Sequence, residues 1–221
     1  MDYYKLTFTN NWSLYKETNI KKTTDRNLKE SSSIGTTNTI ISGRKNLTPR
    51  YFYNTKENFF FKDIHDDGDF VVKEEPNFPN WTLINETKTI GNLPVQKATA
   101  NFRGRNYIAW YTTSIPVPFG PWKTRNLPGL ILELQETTNA FSIEAQTISV
   151  DKQQKCEKPT IDKEITNAIS IETYLKELDK LADLFFEQLS AKLPKGSKPL
   201  KRAKNCEDCD KHRLEIFTNV E

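Results

Sequence analysis

The sequence has little of what many enzymes and membrane proteins are built from. It contains two histidines, three cysteines and one methionine in 221 residues. The patterns G-x-S-x-G and H-E-x-x-H are absent, and no paired-carboxylate pattern stands out. No apolar run approaches the length of a membrane-spanning helix. We therefore expect no catalytic residues, no metal site, no cofactor and no membrane span.

An excess of one charge is also missing. Lys+Arg 32 against Asp+Glu 29 leaves a net charge of +3. Nucleic-acid-binding domains usually carry basic residues that dominate one face, so no nucleic acid is expected as a partner. Hydrophobic residues make up 36% and aromatic residues 11% of the chain. That is enough for a core that depends on Phe, Tyr and Trp.

The densest run of apolar, aromatic, proline and glycine residues is QKATANFRGRNYIAWYTTSIPVPFGPWKTRNLPGLILEL, at 96–134. Two alternating runs, 95–102 and 105–112, meet at Gly104, which can supply the positive φ of a tight hairpin turn. Apolar residues fall on both faces of the second run. This strand is therefore predicted to be covered on both sides or curled into a closed surface.

Leu127-Pro128-Gly129-Leu130 carries Pro then Gly at the central positions, the pattern of a type II turn. The turn is predicted to place Leu130, Leu132 and Leu134 on one face of a core strand. Pro128 and Gly129 then only shape the backbone. The residues assigned a structural role in the turns are Gly120, Pro121, Leu127, Pro128, Gly129, Leu130 and Ile131.

The loop at 115–126 is a candidate recognition surface. Pro116 and Pro118 lack an N–H on the same edge, which favours an edge strand or a crossing loop. Loops on a rigid sheet often carry binding, and aromatic and Arg side chains are favoured anchors. The candidate binding residues on the hairpin and this loop are Arg103, Arg105, Tyr107, Trp110, Tyr111, Phe119, Trp122, Lys123 and Arg125.

Short alternating runs recur along the chain and predict a mainly β fold. With the hairpin they favour an antiparallel curved sheet, a barrel or half-barrel. From Ser170, a good N-cap, apolar residues at helical spacing run to Leu189, and Pro194 ends the pattern. We expect one long C-terminal amphipathic helix that covers the sheet, with Phe185 and Leu189 over strands.

Composition divides the chain into two parts. Residues 1–194 are predicted to form one β-rich domain, in which the polar stretch 19–48 is a mobile loop. Residues 195–221 form a basic linker and a cysteine-containing tail.

The segment RGRNYIAWYTTSIPVPFGPWKTRNLPGLILEL resembles the signature of the GLPGLI family, and W-x-L-x-N-E-T-K-x-I-G followed by Q-K-A-T also matches it. The resemblance spans 59–144. LPGLI is intact, but Asn126 replaces the first Gly, and Val95 stands where members often have Cys. The resemblance implies a β-rich envelope protein of Bacteroidota, periplasmic or outer-membrane-associated, accessory to transport or secretion. No secretion signal precedes Tyr3, so we expect a mature or shortened form whose leader is absent from this chain.

The three cysteines leave several chemistries open. Cys206 and Cys209 form a C-x-x-C pair, and with His212 and Cys156 they could complete a tetrahedral zinc set. A lone C-x-x-C is a weak zinc signal, and a redox role needs the pair within a βαβ unit. In the oxidising periplasm that the resemblance implies, a disulfide between Cys206 and Cys209, or between Cys156 and one of them, ranks first.

Three functions are compatible with these observations. The favoured one is a non-enzymatic envelope protein that holds an apolar or peptide ligand, or docks an outer-membrane transport or secretion partner. The first alternative is a structural protein-interaction module that uses the proline-rich edge as a docking strand. The second is an uncharacterised hydrolase-type enzyme.

Overall fold

The computed structural model describes residues 3–18, 50–65, 68–75, 77–150, 157–194, 196, 198–200 and 215. The loop predicted at 19–48, the three cysteines and His212 lie outside the described residues. The loop, disulfide and zinc hypotheses therefore stay predictions. The division into domain and tail also stays a prediction.

The described residues form eleven strands and two helices, so the mainly β prediction is confirmed. A first sheet contains, in spatial order, β1 (Tyr4–Phe8), β2 (Trp12–Glu17), β3 (Tyr51–Thr55), β4 (Phe59–His65), β5 (Gly68–Glu74) and β11 (Ile169–Ser170). A second contains β10 (Ser142–Glu144), β9 (Leu130–Glu136), β8 (Arg105–Thr112), β7 (Leu93–Phe102) and β6 (Thr82–Ile90). The helices are α1 (Asp162–Thr166) and α2 (Ile171–Ala191). β11 pairs parallel to β5, and the other pairings are antiparallel.

The single curved sheet expected from the sequence is wrong. The described strands form two sheets, and these are not closed into a barrel. Tyr15 of the first sheet lies in one core cluster with Tyr107, Ala109 and Leu134 of the second. β5 and β6 belong to different sheets, and the described residues between them, 75 and 77–81, form neither a strand nor a helix. The two sheets therefore bury their apolar faces against each other.

The hairpin predicted around Gly104 is confirmed. β7 and β8 pair without interruption from Gln96↔Tyr111 to Phe102↔Arg105. Arg103 and Gly104 take φ values of 50° and 72°, as a two-residue turn with two left-handed positions requires.

The leucines of β9 are buried as predicted, but they do not share one face. The register of β9 against β8 shifts between Trp110 and Tyr111, because β9 carries one extra residue there. Leu130 and Leu132 pack with Phe119, whereas Leu134 joins the cluster of Tyr107. A β-bulge reverses the alternation in this way, so β9 is buried on both of its faces.

Helix α2 begins where the sequence predicts, but only its first half covers a sheet. The Ser170 side chain accepts a hydrogen bond from the Thr173 backbone N–H at 3.2 Å. Tyr174 is buried against the inner face of β4 and β5, at the edge of the first sheet. Phe185 and Leu189 are 60% and 38% exposed. The expectation that they lie over strands is wrong, because the helix makes its strand contacts at β5 and β11.

The outer face of the first sheet is covered by the α1 region rather than by α2. Ile161 and Ile165, at the start and within α1, pack against Tyr51, Tyr53 and Phe60. Among the described residues, no helix combines the length and the apolar character needed to cross a membrane.

Tyr174 is expected to fix α2 through its hydroxyl as well as its ring. The hydroxyl donates to Asp63 Oδ2 at 2.5 Å, and the ring meets Phe61 edge-on at 5.4 Å. Burial and the Asp63 carboxylate raise the pKa of Tyr174, so it stays a donor. In urea denaturation, Tyr174→Phe should lower the free energy of unfolding by about 2 kcal/mol. Phe185→Ala should change it by less than about 0.5 kcal/mol. Equal losses in the two variants would contradict this packing.

Candidate functional site

The loop at 115–126, predicted to be an edge strand or a crossing loop, runs through the interior. Ile115, Val117 and Phe119 are buried, while the alternating Pro116 and Pro118 are exposed. The Leu130 and Ile131 backbone N–H groups donate to the carbonyls of Ile115 and Phe119, both at 3.0 Å. The loop therefore continues the buried layer beside the start of β9.

Phe119 and Trp122 contribute to the packed core rather than to an exposed rim. They are 1% and 3% exposed. The Trp122 ring lies 6.2 Å from Phe102, 5.8 Å from Tyr107 and 5.7 Å from Phe141, centroid to centroid. Their position gives no support to docking through these two rings.

The hairpin residues divide between the two faces of the second sheet. Tyr107 and Tyr111 are buried in the core, and the Tyr111 hydroxyl donates to Gln96 Oε1 at 2.8 Å. Burial raises the pKa of both tyrosines. Trp110 lies on the outer face, with the ammonium groups of Lys88 and Lys97 at 4.4 and 5.9 Å from its ring.

Arg105 belongs to a separate buried ion pair. Its Nη1 atom lies 3.7 Å from Glu136 Oε1, and both side chains are almost fully buried. Burial opposes the ionisation of Glu136, but hydrogen bonds from the Thr138 side chain and from two backbone N–H groups outweigh it. Together with Arg105 they hold the pKa of Glu136 below its usual value. Glu136 thus closes the β9–β10 turn as a carboxylate.

Arg125 ties the loop to the first sheet. Its Nη1 donates to the Thr55 carbonyl at 2.8 Å, and its guanidinium lies 4.5 Å from the Phe78 ring. The Trp81 indole N–H donates to the Arg125 carbonyl at 2.8 Å. Burial lowers the pKa of Arg125. Through these contacts Arg125 connects the loop at 115–126 to Thr55 of the first sheet and to Trp81.

Two of the predicted binding residues, Arg103 and Lys123, meet at one place with two carboxylates. Lys123 Nζ donates to Glu74 Oε2 at 2.7 Å and to the two oxygens of Glu215 at 2.7 and 3.0 Å. Arg103 donates to Glu74 Oε1, and its Nε lies 3.9 Å from Glu215. We call Arg103, Lys123 and Glu74 the carboxylate seat, because the two cations contact the Glu215 carboxylate and Glu74 contacts both cations.

Separate elements position the three members of the carboxylate seat. Glu74 is the last residue of β5, and Arg103 is the first residue of the β7–β8 turn. Lys123 follows Trp122, whose φ of 55° is left-handed and turns the chain inward. The Lys123 ammonium also lies 4.3 Å from the Phe61 ring centroid, so an aromatic face stabilises the charge.

The seat brings buried charges of both signs together. Arg103 and Lys123 bring two cations, and Glu74 brings one carboxylate. The side chains of Lys123 and Glu74 are 4% and 3% exposed. A charge left unpaired at that depth is strongly unfavourable, so the Lys123 ammonium depends on the carboxylates of Glu74 and Glu215 that contact it.

Sequence reasoning had selected Arg103 and Lys123 but missed both carboxylates. Glu74 follows Phe70 and Val72 at a spacing of two on the inner face of β5, a placement that could have marked it as inward-facing. Glu215 carries no such signal, because its partners lie 92 or more residues away.

In the turn at Leu127–Leu130, a glycine is needed at position 129 because there is no room for a side chain, not because its φ is left-handed. Gly129 does not take the positive φ of a type II turn, so that expectation is wrong. A Cβ at Gly129 would instead lie 2.0 Å from the Thr112 carbonyl oxygen. The left-handed residue is Asn126, at φ 73°. It occupies the position where the GLPGLI motif has its first Gly.

Asn126→Gly should therefore be tolerated, whereas Asn126→Ala should not. Asn adopts left-handed φ more readily than other residues with a Cβ, and Gly adopts it freely. We expect the free energy of unfolding to stay within about 0.5 kcal/mol for Asn126→Gly and to fall by about 1 kcal/mol for Asn126→Ala. Thermal and urea unfolding of the two variants measure the difference. The reverse order would show that the Asn126 side chain, not its φ, matters.

Two shallow hollows lie elsewhere on the surface. One of about 370 Å³ borders the signature turn, and its lining residues are Phe78, Pro79, Asn80, Trp81, Leu83, Asn126, Leu127 and Pro128. The other, of about 460 Å³, lies on the outer face of the second sheet between Asn80 and Thr137. Neither is lined by Arg103 or Lys123, so the carboxylate seat is a separate feature.

Comparisons with known proteins point to a family but to no activity. Residues 103–133 match the family model described as "Protein of unknown function (Porph_ging)", which suggests a family of the Bacteroidota type. No curated protein matches the chain. A solved structure described as "Structure of PNGF-II in C2 space group" is similar at 15% identity and a TM-score of 0.47 over 77% of this chain. The chain spans 27% of the length of that structure, and a likeness at this level carries no conclusion about function. The matched residues include Arg103 and Lys123, whereas Glu74 and Glu215 lie outside them.

Proposed function

We propose that this chain is a non-enzymatic binding protein of the bacterial cell envelope, which holds a carboxylate-bearing peptide segment of a partner in the carboxylate seat. The observation that carries the proposal is the contact between the buried Lys123 ammonium and the Glu215 carboxylate. Membership of the GLPGLI family, location in the periplasm or at the outer membrane, and an accessory role in transport or secretion are parts of the same proposal. The intact LPGLI motif and the match at residues 103–133 support them.

The chemistry of the seat suits a carboxylate. An ammonium and a guanidinium offer charge-assisted donors to one acceptor group. Their surroundings exclude most water, which strengthens the electrostatic attraction compared with an exposed pair. β5 and the β7–β8 turn hold Glu74 and Arg103 in place before any segment arrives. Little ordering is therefore needed on the side of the protein.

Co-purification from the native envelope tests the proposal. Tagged wild type is compared with Lys123→Met, Arg103→Met and the conservative Lys123→Arg, and retained proteins are identified by mass spectrometry. We expect one defined partner to remain with wild type and Lys123→Arg and to be lost from the two methionine variants.

Two controls separate binding from stability. Lys97→Met removes a half-buried lysine that pairs with Glu86 on the other face of the second sheet. Val95→Ala removes buried apolar volume at the end of β7 that is opposite the Arg103 turn. Both should retain the partner. If all variants retain the same proteins, or if wild type retains only itself, the proposal is wrong.

A further inference from the structure

We infer that the chain forms a symmetric dimer through its edge strand β6, which pairs antiparallel with β6 of a second copy around Thr87. The second sheets of the two copies then continue into one sheet. This inference goes beyond the proposed function and does not depend on the carboxylate seat. It rests on the exposure of β6, the direction of its backbone groups and the order of its charges.

Strand β6 (Thr82–Ile90) is the longest edge strand among the described residues. It has nine residues, whereas β10 has three, and the edges of the first sheet, β1 and β11, have five and two. Residues 85–89 are exposed, and β7 is the one strand that pairs with β6 in the described part of the chain. A long exposed edge strand offers unpaired N–H and C=O groups to another chain.

The pairing with β7 fixes which backbone groups of β6 point outward. Thr89 lies opposite Pro94. Because proline has no N–H, this pair is not a hydrogen-bonded one. Thr89 and Thr87 therefore direct their N–H and C=O groups away from β7. The Ile84 carbonyl belongs to the opposite set, since it accepts from Gln96 Nε2 of β7 at 3.1 Å. The strand thus keeps its alternation across its bulge.

The order of charges along β6 is self-complementary in an antiparallel pair centred on Thr87. In that register Glu86 lies opposite Lys88 of the second copy, and the symmetry forms this pair twice. Ile84 lies opposite Ile90 of the second copy, so apolar residues meet at both ends. Both kinds of pair occupy non-hydrogen-bonded positions, where side chains on neighbouring strands are closest.

The side chains of Glu86 and Lys88 are exposed enough to take a second partner. Glu86 is 55% exposed and accepts from Lys97 Nζ at 2.9 Å. Lys88 is 37% exposed, donates to Glu133, and lies with its ammonium 4.4 Å from the Trp110 ring. These contacts hold both charges over the outer face of the second sheet, beside the edge that the second copy meets.

A second copy fits this edge better than an unrelated strand. A lysine on an edge strand opposes pairing with a chain that brings no anion to the facing position. The antiparallel copy brings Glu86 there. A register centred on Lys88 would instead place two lysines opposite each other, which is unfavourable. The charges therefore select both the partner and the register.

Sedimentation of full-length protein with exchanged charges tests the pairing. A contact of one strand per copy buries less surface than a standard interface, so we expect a Kd of about 1–100 µM. Wild type, Glu86→Lys, Lys88→Glu and the double variant are compared by analytical ultracentrifugation across that range, after circular dichroism has shown that each is folded. Glu187→Lys, on the exposed face of α2, is the control with the same change of charge.

Wild type, the double variant and Glu187→Lys should dimerise, because each keeps opposite charges across the symmetry axis. Either single exchange places like charges opposite each other twice and should weaken the dimer at least about 10-fold. Mixing Glu86→Lys with Lys88→Glu should restore it, since one copy then carries two lysines and the other two glutamates.

Thr87→Pro gives an independent measurement. The substitution removes an outward N–H that β7 does not use, so the second sheet should stay folded while the dimer is lost. In wild type, amide hydrogen exchange at Thr87 and Thr89 should slow as the concentration rises through the Kd. Thr87→Pro decides the matter if an exchanged variant does not fold, and a dimer as stable as that of wild type overturns the inference.

The remaining outcomes against the inference are equally distinct. It is overturned if wild type stays monomeric throughout the range, or if the mixture of the two exchanged variants forms no dimer. It is also overturned if the β6 amides become protected only when another protein is added, because the edge then belongs to a different partner.

Discussion

Glu74→Gln is expected to lower the free energy of unfolding by about 3–5 kcal/mol. The substitution removes the carboxylate that both Arg103 and Lys123 contact inside the protein. The amide is nearly isosteric, so the loss comes from charge rather than from packing. Both ion pairs of Glu74 are then lost, and breaking a buried pair by removing one partner costs about this much.

A double substitution that leaves the net charge of the seat unchanged provides the control for this prediction. Glu74→Leu combined with Lys123→Met removes one charge of each sign and leaves Arg103 beside Glu215. The double variant should recover at least about half of the loss, because hydrophobic replacement of a buried ion pair is often neutral. Glu86→Gln, whose side chain is 55% exposed beside Lys97, should cost less than about 1 kcal/mol. Equal urea midpoints for Glu74→Gln and Glu86→Gln would contradict the burial of the cluster.

Gly129→Ala is expected to cost about 3 kcal/mol, at the upper end for an added methyl group in a packed interior. The Cβ would lie 2.0 Å from the Thr112 carbonyl oxygen and 3.0 Å from the Thr113 Cα. Both atoms belong to the backbone beside the start of β9, so no side chain can move aside. The first residues of β9 must shift, and the loop that they hold shifts with them.

Gly68→Ala is the matched control for the Gly129 substitution. Nothing lies within 4 Å of a Cβ built at Gly68, and its φ is not left-handed. Its free energy of unfolding should stay within about 1 kcal/mol of wild type and is expected to rise, since alanine loses less entropy than glycine in a strand. If both variants unfold at the same urea concentration, the close backbone packing around Gly129 is not the reason for a glycine at this position.

The local features of this fold could be predicted from the sequence. The β7–β8 hairpin follows from two alternating runs that meet at Gly104, and the start of α2 follows from Ser170 before an apolar stripe. Each depends on residues within a few positions of one another. The strand boundaries on either side of the hairpin were predicted within about two residues for the same reason.

The arrangement of these elements could not be predicted in the same way. Alternation shows that a strand has a buried face but not which strand covers it, so two facing sheets were read as one curved sheet. The extra residue in β9 reversed the alternation of Leu132 and Leu134, and the sequence gives no marker of a bulge. The apolar stripe of α2 predicted a covering sheet, yet only the part near Tyr174 has one.

The candidate site was also predictable only in part, because its cations could be selected from the sequence and its carboxylates could not. Arg103 and Lys123 were selected because they lie in the densest segment of the chain, beside aromatic residues. Their partners, Glu74 and Glu215, are distant in sequence and come from a strand end and the tail. An ion cluster of this kind is set by tertiary structure, so its anions are found only when the fold is known.

A double-mutant cycle between Lys123 and Glu215 tests the central claim most directly. The free energies of unfolding of wild type, Lys123→Met, Glu215→Gln and the double variant give the coupling between the two side chains. A seat that holds the tail by its carboxylate predicts a favourable coupling of at least about 1.5 kcal/mol. A coupling within about 0.3 kcal/mol of zero would show that Glu215 is not held there, and the binding role assigned to Arg103 and Lys123 would lose its basis.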